Sequence, residues 1–276
     1  MLEMGPYTKD IIIIIAAIAV GLVGYYMLTR NKVSASPASV AIPKKIYQTH
    51  ESIERINSNE SLLQATKSWS KHKDYEYSFY DNEQCATFMK TQEETFPGIN
   101  EQYNRLPLGV MKADLWRYCI IYANGGIYAD SDTILMGSPN VLTEGIKGDL
   151  AAVSEPGGHP FLCQWVFSAP KHSPILKSVI ELSVERLKNI PVLTPNNIGD
   201  GQTDACTVHQ LTGPAVFTDG IKRCIGEDAL YWNGEHLTSA KSSSLHHLED
   251  PQSFHSQIVR HLYSGFWTGG WRSQTV

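Results

Sequence analysis

Four side chains in one short stretch can act together: Asp114, Arg117, Asp130 and Asp132. Asp114 and Arg117 stand three apart in a run where Ala113, Trp116, Ile120 and Ala123 recur at three- and four-residue steps. That spacing predicts a helix over 109–123 with one apolar stripe, and it puts the acid and the guanidinium on one face. Asn124-Gly125-Gly126 ends the helix, because glycine tolerates left-handed backbone. A short strand, Ile127-Tyr128-Ala129, then runs into Asp130-Ser131-Asp132. Carboxylates at i and i+2 of a strand point to the same side. They repel each other unless a cation sits between them, and hard oxygen ligands suit Mg²⁺ or Mn²⁺, ions that bring phosphates with them. The carboxyl end of a strand in an α/β sheet is also where ligands bind. Asp-x-Asp alone is common in exposed turns; the helix-turn-strand unit around this one gives it weight.

The rest of the chain must frame that unit. Lys45–Thr49 reads as a first strand, 61–71 as a helix, Tyr75–Tyr80 as a second strand and 82–94 as another helix. This alternation predicts an α/β sheet with parallel crossovers. Leu150–Ser154 and Trp165–Ser168 read as further strands, and 173–188 and 214–224 as helices. The Ser- and His-rich stretch 237–256 reads as loop.

With 276 residues, 42% of them hydrophobic, and a net charge of −5, the chain is neither disordered nor suited to nucleic acid: 23 Lys+Arg face 28 Asp+Glu with no basic block. Its greasiest part is the N-terminus, where residues 11–28 hold 16 hydrophobic residues and two glycines. As a helix, 11–29 would span roughly 28 Å, close to the hydrocarbon thickness of a bilayer. Glu3, Lys9 and Asp10 do not make the basic start of a signal peptide, so a single-pass membrane helix is expected after a 1–10 tail. Arg30, Lys32, Lys44 and Lys45 favour a cytoplasmic body, whereas the sequon Asn59-Glu60-Ser61 favours a lumenal one, and the side stays open. Residues 30–41 read as a tether, leaving 42–276 as one domain. Cysteines 85, 119, 163, 206 and 224 are odd in number, without metal-type spacing, and read as free thiols.

Met111-Lys112-Ala113-Asp114-Leu115-Trp116-Arg117-Tyr118, followed by Tyr122-Ala123-Asn124-Gly125-Gly126-Ile127-Tyr128-Ala129-Asp130-Ser131-Asp132-Thr133, resembles the DXD sugar-binding region of glycosyltransferase family 32. That family includes initiating mannosyltransferases of the fungal Golgi and bacterial capsular transferases. Ile42–Thr49 resembles its opening strand, Thr212-Gly213-Pro214 its TGP element, and His261-Leu262-Tyr263-Ser264-Gly265-Phe266-Trp267 its terminal His…Gly-x-Trp element. The resemblance implies a GT-A type, Rossmann-like nucleotide-sugar-binding domain. It implies transfer of a hexose from a UDP- or GDP-sugar, with retention and with Mn²⁺ or Mg²⁺, to a glycan, glycolipid or glycoprotein acceptor. Asp130 would meet the ribose and the metal-diphosphate, and Asp132 would bind the metal. Asp114 and Arg117 would bond sugar hydroxyls. Tyr47, Gln48 and Thr49 would line the base pocket, with Tyr128 and Trp267 completing the donor contacts. His261 would be the candidate third metal ligand.

Two departures stand out: His261 is followed by Leu262 rather than a second histidine, and Gln164 or Gln202 stands in for the family's donor-facing asparagine. His246-His247 lies too early to replace the pair and reads as loop. Two rival functions remain. Asp130-Ser131-Asp132-Thr133 superficially resembles an Asp-nucleophile phosphatase, but Gly226-Glu227-Asp228 is a poor second acidic cluster. The other rival is a membrane-tethered, non-catalytic sugar-binding module.

Overall fold

The computed structural model describes residues 41–198, 207–233, 235, 237–239, 244–248 and 254–263. The expected membrane helix 11–29, nearly all of the tether, Gln202, Cys206 and Trp267 lie outside these residues. Among the described residues, no helix is long and apolar enough to cross a membrane.

The chain runs β1 (Lys45–Thr49), α1 (Ile53–Asn57), α2 (Glu60–Ser70), β2 (Glu76–Tyr80), α3 (Asn82–Thr91), α4 (Ile99–Arg105), α5 (Gly109–Asn124), β3 (Gly126–Ala129) and β4 (Thr133–Leu135). It continues through β5 (Leu150–Ala152), β6 (Val166–Ala169), α6 (Pro174–Lys188), α7 (Val208–Leu211), α8 (Pro214–Ile225), β7 (Leu230–Trp232), β8 (Leu237–Ser239), β9 (Leu245–His247) and β10 (Val259–His261). Six strands form one mixed sheet in the order β2-β1-β3-β6-β5-β9. The expected parallel crossovers hold for β2, β1 and β3, with Ile46 opposite both Tyr77 and Ile127. β6 then runs antiparallel to β3 and to β5, so the sheet is mixed.

Three local expectations are corrected. α5 is buried on nearly every face, from Met111 through Ile121, because it packs against the sheet as well as against α3 and α6; one apolar stripe would suit a surface helix. The stretch read as loop from 237 contains two strands. β9 is a sheet edge, pairing parallel with β5, and a three-residue strand needs only Leu245 facing inward to do so. His246 and His247 therefore sit on a strand. The Asp-x-Asp pair is also not on a strand: β3 ends at Ala129, and Asp130, Ser131 and Asp132 form the turn into β4. The Thr133 amide and hydroxyl both donate to the Asp130 carbonyl, at 3.0 and 2.6 Å, and close that turn.

Apolar clusters on either side of the sheet fix this arrangement. One surrounds Trp116, Tyr118, Tyr128 and Phe167; the other joins Ile46, Trp69, Ile127, Val166 and Val259. Gly220 lets α8 close on α6, where a β-carbon would stand 2.6 Å from Val179 Cα.

Candidate active site

The acidic turn reaches its position through a glycine pair. Gly125 and Gly126 have φ of +66° and +114°. A β-carbon on Gly126 would lie 2.7 Å from the Lys45 carbonyl, so β3 can enter beside β1 only without a side chain there. Below the turn, Gln48 Nε2 donates to the Asp130 carbonyl at 3.0 Å while Gln48 Oε1 accepts from Tyr77. Trp69 Nε1 donates to the Thr133 carbonyl at 3.0 Å. The backbone of the turn is thus held from β1, β2 and α2.

A strand from far along the chain supplies the third group. β10 pairs antiparallel with β4, setting His261 opposite Thr133, and the Leu262 amide donates to the Asp132 carbonyl at 2.9 Å. His261 Nε2 lies 3.5 Å from Asp132 Oδ1 and 3.7 Å from Asp130 Oδ2. One ligand atom from each of the three residues falls within 4.8 Å of the others. Two carboxylate oxygens and an imidazole nitrogen at this spacing fit a hard divalent cation such as Mn²⁺. The histidine has a condition attached. Its Nδ1 accepts the Tyr263 amide at 2.8 Å, which leaves the ring proton on Nε2, facing the carboxylates. Ligation through Nε2 requires that proton to move to Nδ1 and the Tyr263 bond to open.

Arg117 joins both acids. Its guanidinium meets Asp130 Oδ1 at 3.0 Å and Asp114 Oδ1 at 3.1 Å, donates to the Gln164 carbonyl and Oε1, and lies 4.6 Å from the centre of the Tyr128 ring. Arg117 Nε is buried without a partner. The Tyr128 hydroxyl donates to Asp130 Oδ1. Burial pushes the Asp130 carboxyl up, but Arg117, His261 and Tyr128 outweigh it and hold the group below the ordinary carboxylate value. Asp114 goes the other way: burial, opposed by Arg117, leaves it pushed up to about 6.

Asp114, Arg117, Tyr128, Asp130, Asp132 and His261 therefore come together. Asp114 has no exposed surface, and Thr212 Oγ1 and Gln164 Nε2 donate to its two oxygens at 3.0 and 3.1 Å. It supports Arg117 here. Tyr47, Gln48 and Thr49 are buried beneath the turn. Tyr47 packs near Tyr80, Gln48 clamps Asp130, and the Thr49 hydroxyl donates to the Tyr80 carbonyl. Gln164, weighed above against Gln202, reaches Arg117 and Asp114.

Sequence reasoning missed two neighbours. Glu155 accepts from Trp165 Nε1 at 3.3 Å, and burial pushes its carboxyl up to about 7; the Trp165 ring meets His261 edge-on, 4.8 Å between centroids. His50 follows β1, feels Asp132 and Asp130 electrostatically, and has a buried Nδ1 without a partner. Neither carries a spacing signal.

Residues 59–147 match the family model described as a glycosyltransferase sugar-binding region containing a DXD motif. The match takes in 111–133, where the resemblance is densest, together with α2, β2 and α3. The initiation-specific alpha-1,6-mannosyltransferase of Candida albicans is 25% identical over 211 residues, covering 66% of this chain and 53% of its own. The inositol phosphoceramide mannosyltransferase 3 of Schizosaccharomyces pombe is 32% identical over 152 residues, covering 49% and 39%. The chain spans about half the length of these relatives. Among solved structures, the PaToxG glycosyltransferase aligns over 67% of this chain and 70% of its own, at 18% identity and a TM-score of 0.43.

Proposed function

We propose that the sugar-binding region belongs to a metal-dependent, retaining glycosyltransferase of the GT-A type, moving a hexose from a UDP- or GDP-sugar to a glycan, glycolipid or glycoprotein acceptor. The observation that carries this reading is the meeting of Asp130, Asp132 and His261 beside Arg117 at the end of β3. Asp130 Oδ2 and Asp132 Oδ1 would hold the cation, with His261 completing the set once Nε2 is free of its proton. When bound, the cation neutralises charge that develops on the departing diphosphate. Arg117, which holds Asp130 Oδ1 while Oδ2 faces the cation gap, would meet the donor from the other side of that carboxylate. Its Nε is one of the buried donors left unsatisfied, and a sugar hydroxyl would supply the acceptor it lacks. Asp114, Gln164 and Tyr128 hold the guanidinium plane while that bond forms.

Retention, and a hydrolysable nucleotide-sugar as donor, are carried from the family resemblance. The relatives' names put mannose first among hexoses to try. The 11–29 segment would serve as a single-pass anchor that keeps the enzyme near membrane-borne acceptors. The phosphatase alternative is disfavoured by Asp130 itself: the carboxylate that would attack phosphorus has Oδ1 engaged by Arg117 and Tyr128.

The test is release of free nucleotide from a panel of UDP- and GDP-hexoses with Mn²⁺, followed by NMR of the product's anomeric configuration. Transfer with retention supports the reading. Hydrolysis of phosphomonoesters alone would support the phosphatase, and donor binding with no turnover the non-catalytic module.

A further inference from the structure

Both oxygens of Asp114 are taken by protein donors, and the donor on Oδ2 comes from far along the chain. Thr212 lies 98 residues downstream, at the junction of α7 and α8. Its hydroxyl is 3.0 Å from Asp114 Oδ2 and 3.5 Å from the Val208 carbonyl, so the carboxylate is the closer acceptor. The Tyr118 hydroxyl, one turn along α5 from Asp114, donates to the Thr212 carbonyl at 2.8 Å. Thr212 is fully buried.

The next two residues explain how the hydroxyl gets there. The Gly213 amide donates to the Val208 carbonyl at 2.8 Å, and a β-carbon at 213 would stand 3.0 Å from both the Val208 oxygen and His209 Cα. A side chain at 213 would crowd this exit from α7. Pro214 then opens α8, where its missing N–H costs nothing. The Thr-Gly-Pro run is a device for pressing one hydroxyl against one buried acid.

We propose that Thr212 is a positioning residue for sugar transfer: its hydroxyl fixes the Asp114 carboxylate and, through it, the Arg117 guanidinium that faces the donor. The role rests on the glycosyl-transfer reading above. The groups facing Asp114 are Arg117 and Tyr118 from its own helix, Tyr128 from β3, Asp130 from the acidic turn, Gln164 from the segment before β6, and Thr212. Arg117 and the two hydrogen bonds favour the ionised acid, whereas burial and Asp130 favour the neutral one. Removing the Thr212 hydroxyl takes away support for the ionised form only. The carboxyl then titrates at higher pH, and Arg117 loses its charged partner earlier as pH falls.

The experiment compares the full-length chain with Thr212→Val, which keeps the shape, and Thr212→Ser, which keeps the hydroxyl. Two readouts are followed: the Asp114 carboxyl titration by ¹³C NMR and the pH profile of donor turnover with Mn²⁺. Thr212→Val is expected to raise the Asp114 titration and the acid limb of kcat together by about one pH unit. It should lower kcat about twofold at pH 7 and up to about tenfold below pH 5, while KM for the donor changes less than about twofold, and Thr212→Ser should restore both. Should Thr212→Val fold poorly, Thr212→Ala is read the same way. A shifted titration with unchanged kcat would overturn the positioning role alone. An unshifted titration would overturn the contact itself. Absence of turnover in the wild-type chain would count against the glycosyl-transfer reading, whatever Asp114 does.

Discussion

Asp130 divides its carboxylate. Oδ1 goes to Arg117 and Tyr128, and Oδ2 faces the gap shared with Asp132 and His261. The planar fork of Arg117 makes this possible, since one group must reach Asp130, Asp114 and Gln164 at once. Lysine offers a point charge and cannot span three acceptors. Arg117→Lys is therefore expected to lower donor turnover by about a hundredfold. A melting curve close to wild type would separate this loss from misfolding. Glu155 gives a prediction about stability. Its folded-state pKa lies above the ordinary value of 4.5, at about 7. The stability associated with its neutral form is fully present below about pH 4.5 and is lost as pH rises to about 7. Glu155→Gln should then melt higher than wild type above pH 7, by at most about 3 kcal/mol, and the difference should vanish near pH 4. Thermal melts across that range check it; an equal difference at both ends would contradict the assignment.

At the scale of elements, the α5–β3 unit was legible because local signals suffice to write it: periodic apolar positions, a glycine pair and a short apolar run. Its partners were not. β10 is three residues long, yet it places His261 opposite Thr133, and that pairing depends on the folded sheet rather than on any pattern near 261. The same holds for Thr212, whose bond to Asp114 bridges 98 residues. Full burial of α5 was unreadable for a related reason. A helix that carries Asp114 and Arg117 inward looks half-polar in sequence, while those polar groups satisfy one another in the core. Tyr47, Gln48 and Thr49, which the resemblance puts against a nucleotide base, are buried where they also support the acidic turn. Gly126→Ala tests the element directly. The new β-carbon would meet the Lys45 carbonyl at 2.7 Å in a backbone conformation L-residues avoid. A loss of about 2–4 kcal/mol is expected by chemical denaturation. A loss below about 0.5 kcal/mol would mean that β3 does not enter as described.

For the whole molecule, the order of the chain matters: an apolar 11–29 segment, a small and polar 30–41 stretch, and then a body that gathers its site from β3, β10, α5 and the α7–α8 junction. If the first segment is an anchor, deleting residues 1–41 should release the protein from membranes and leave donor turnover within about twofold. Transfer to an acceptor embedded in vesicles should fall much further than transfer to a soluble one, because tethering raises the local concentration of enzyme at the bilayer. Equal losses on both acceptors would contradict that division of labour. The central claim, that a cation held by the acidic turn drives breakdown of a nucleotide-sugar, is tested most directly by donor turnover titrated with Mn²⁺ in wild type and Asp132→Asn. The account predicts that wild-type turnover saturates with Mn²⁺, disappears with EDTA and returns on adding the ion back, whereas the folded Asp132→Asn protein stays at least about a hundredfold slower throughout. Turnover that survives EDTA, or a fully active Asp132→Asn, would contradict it.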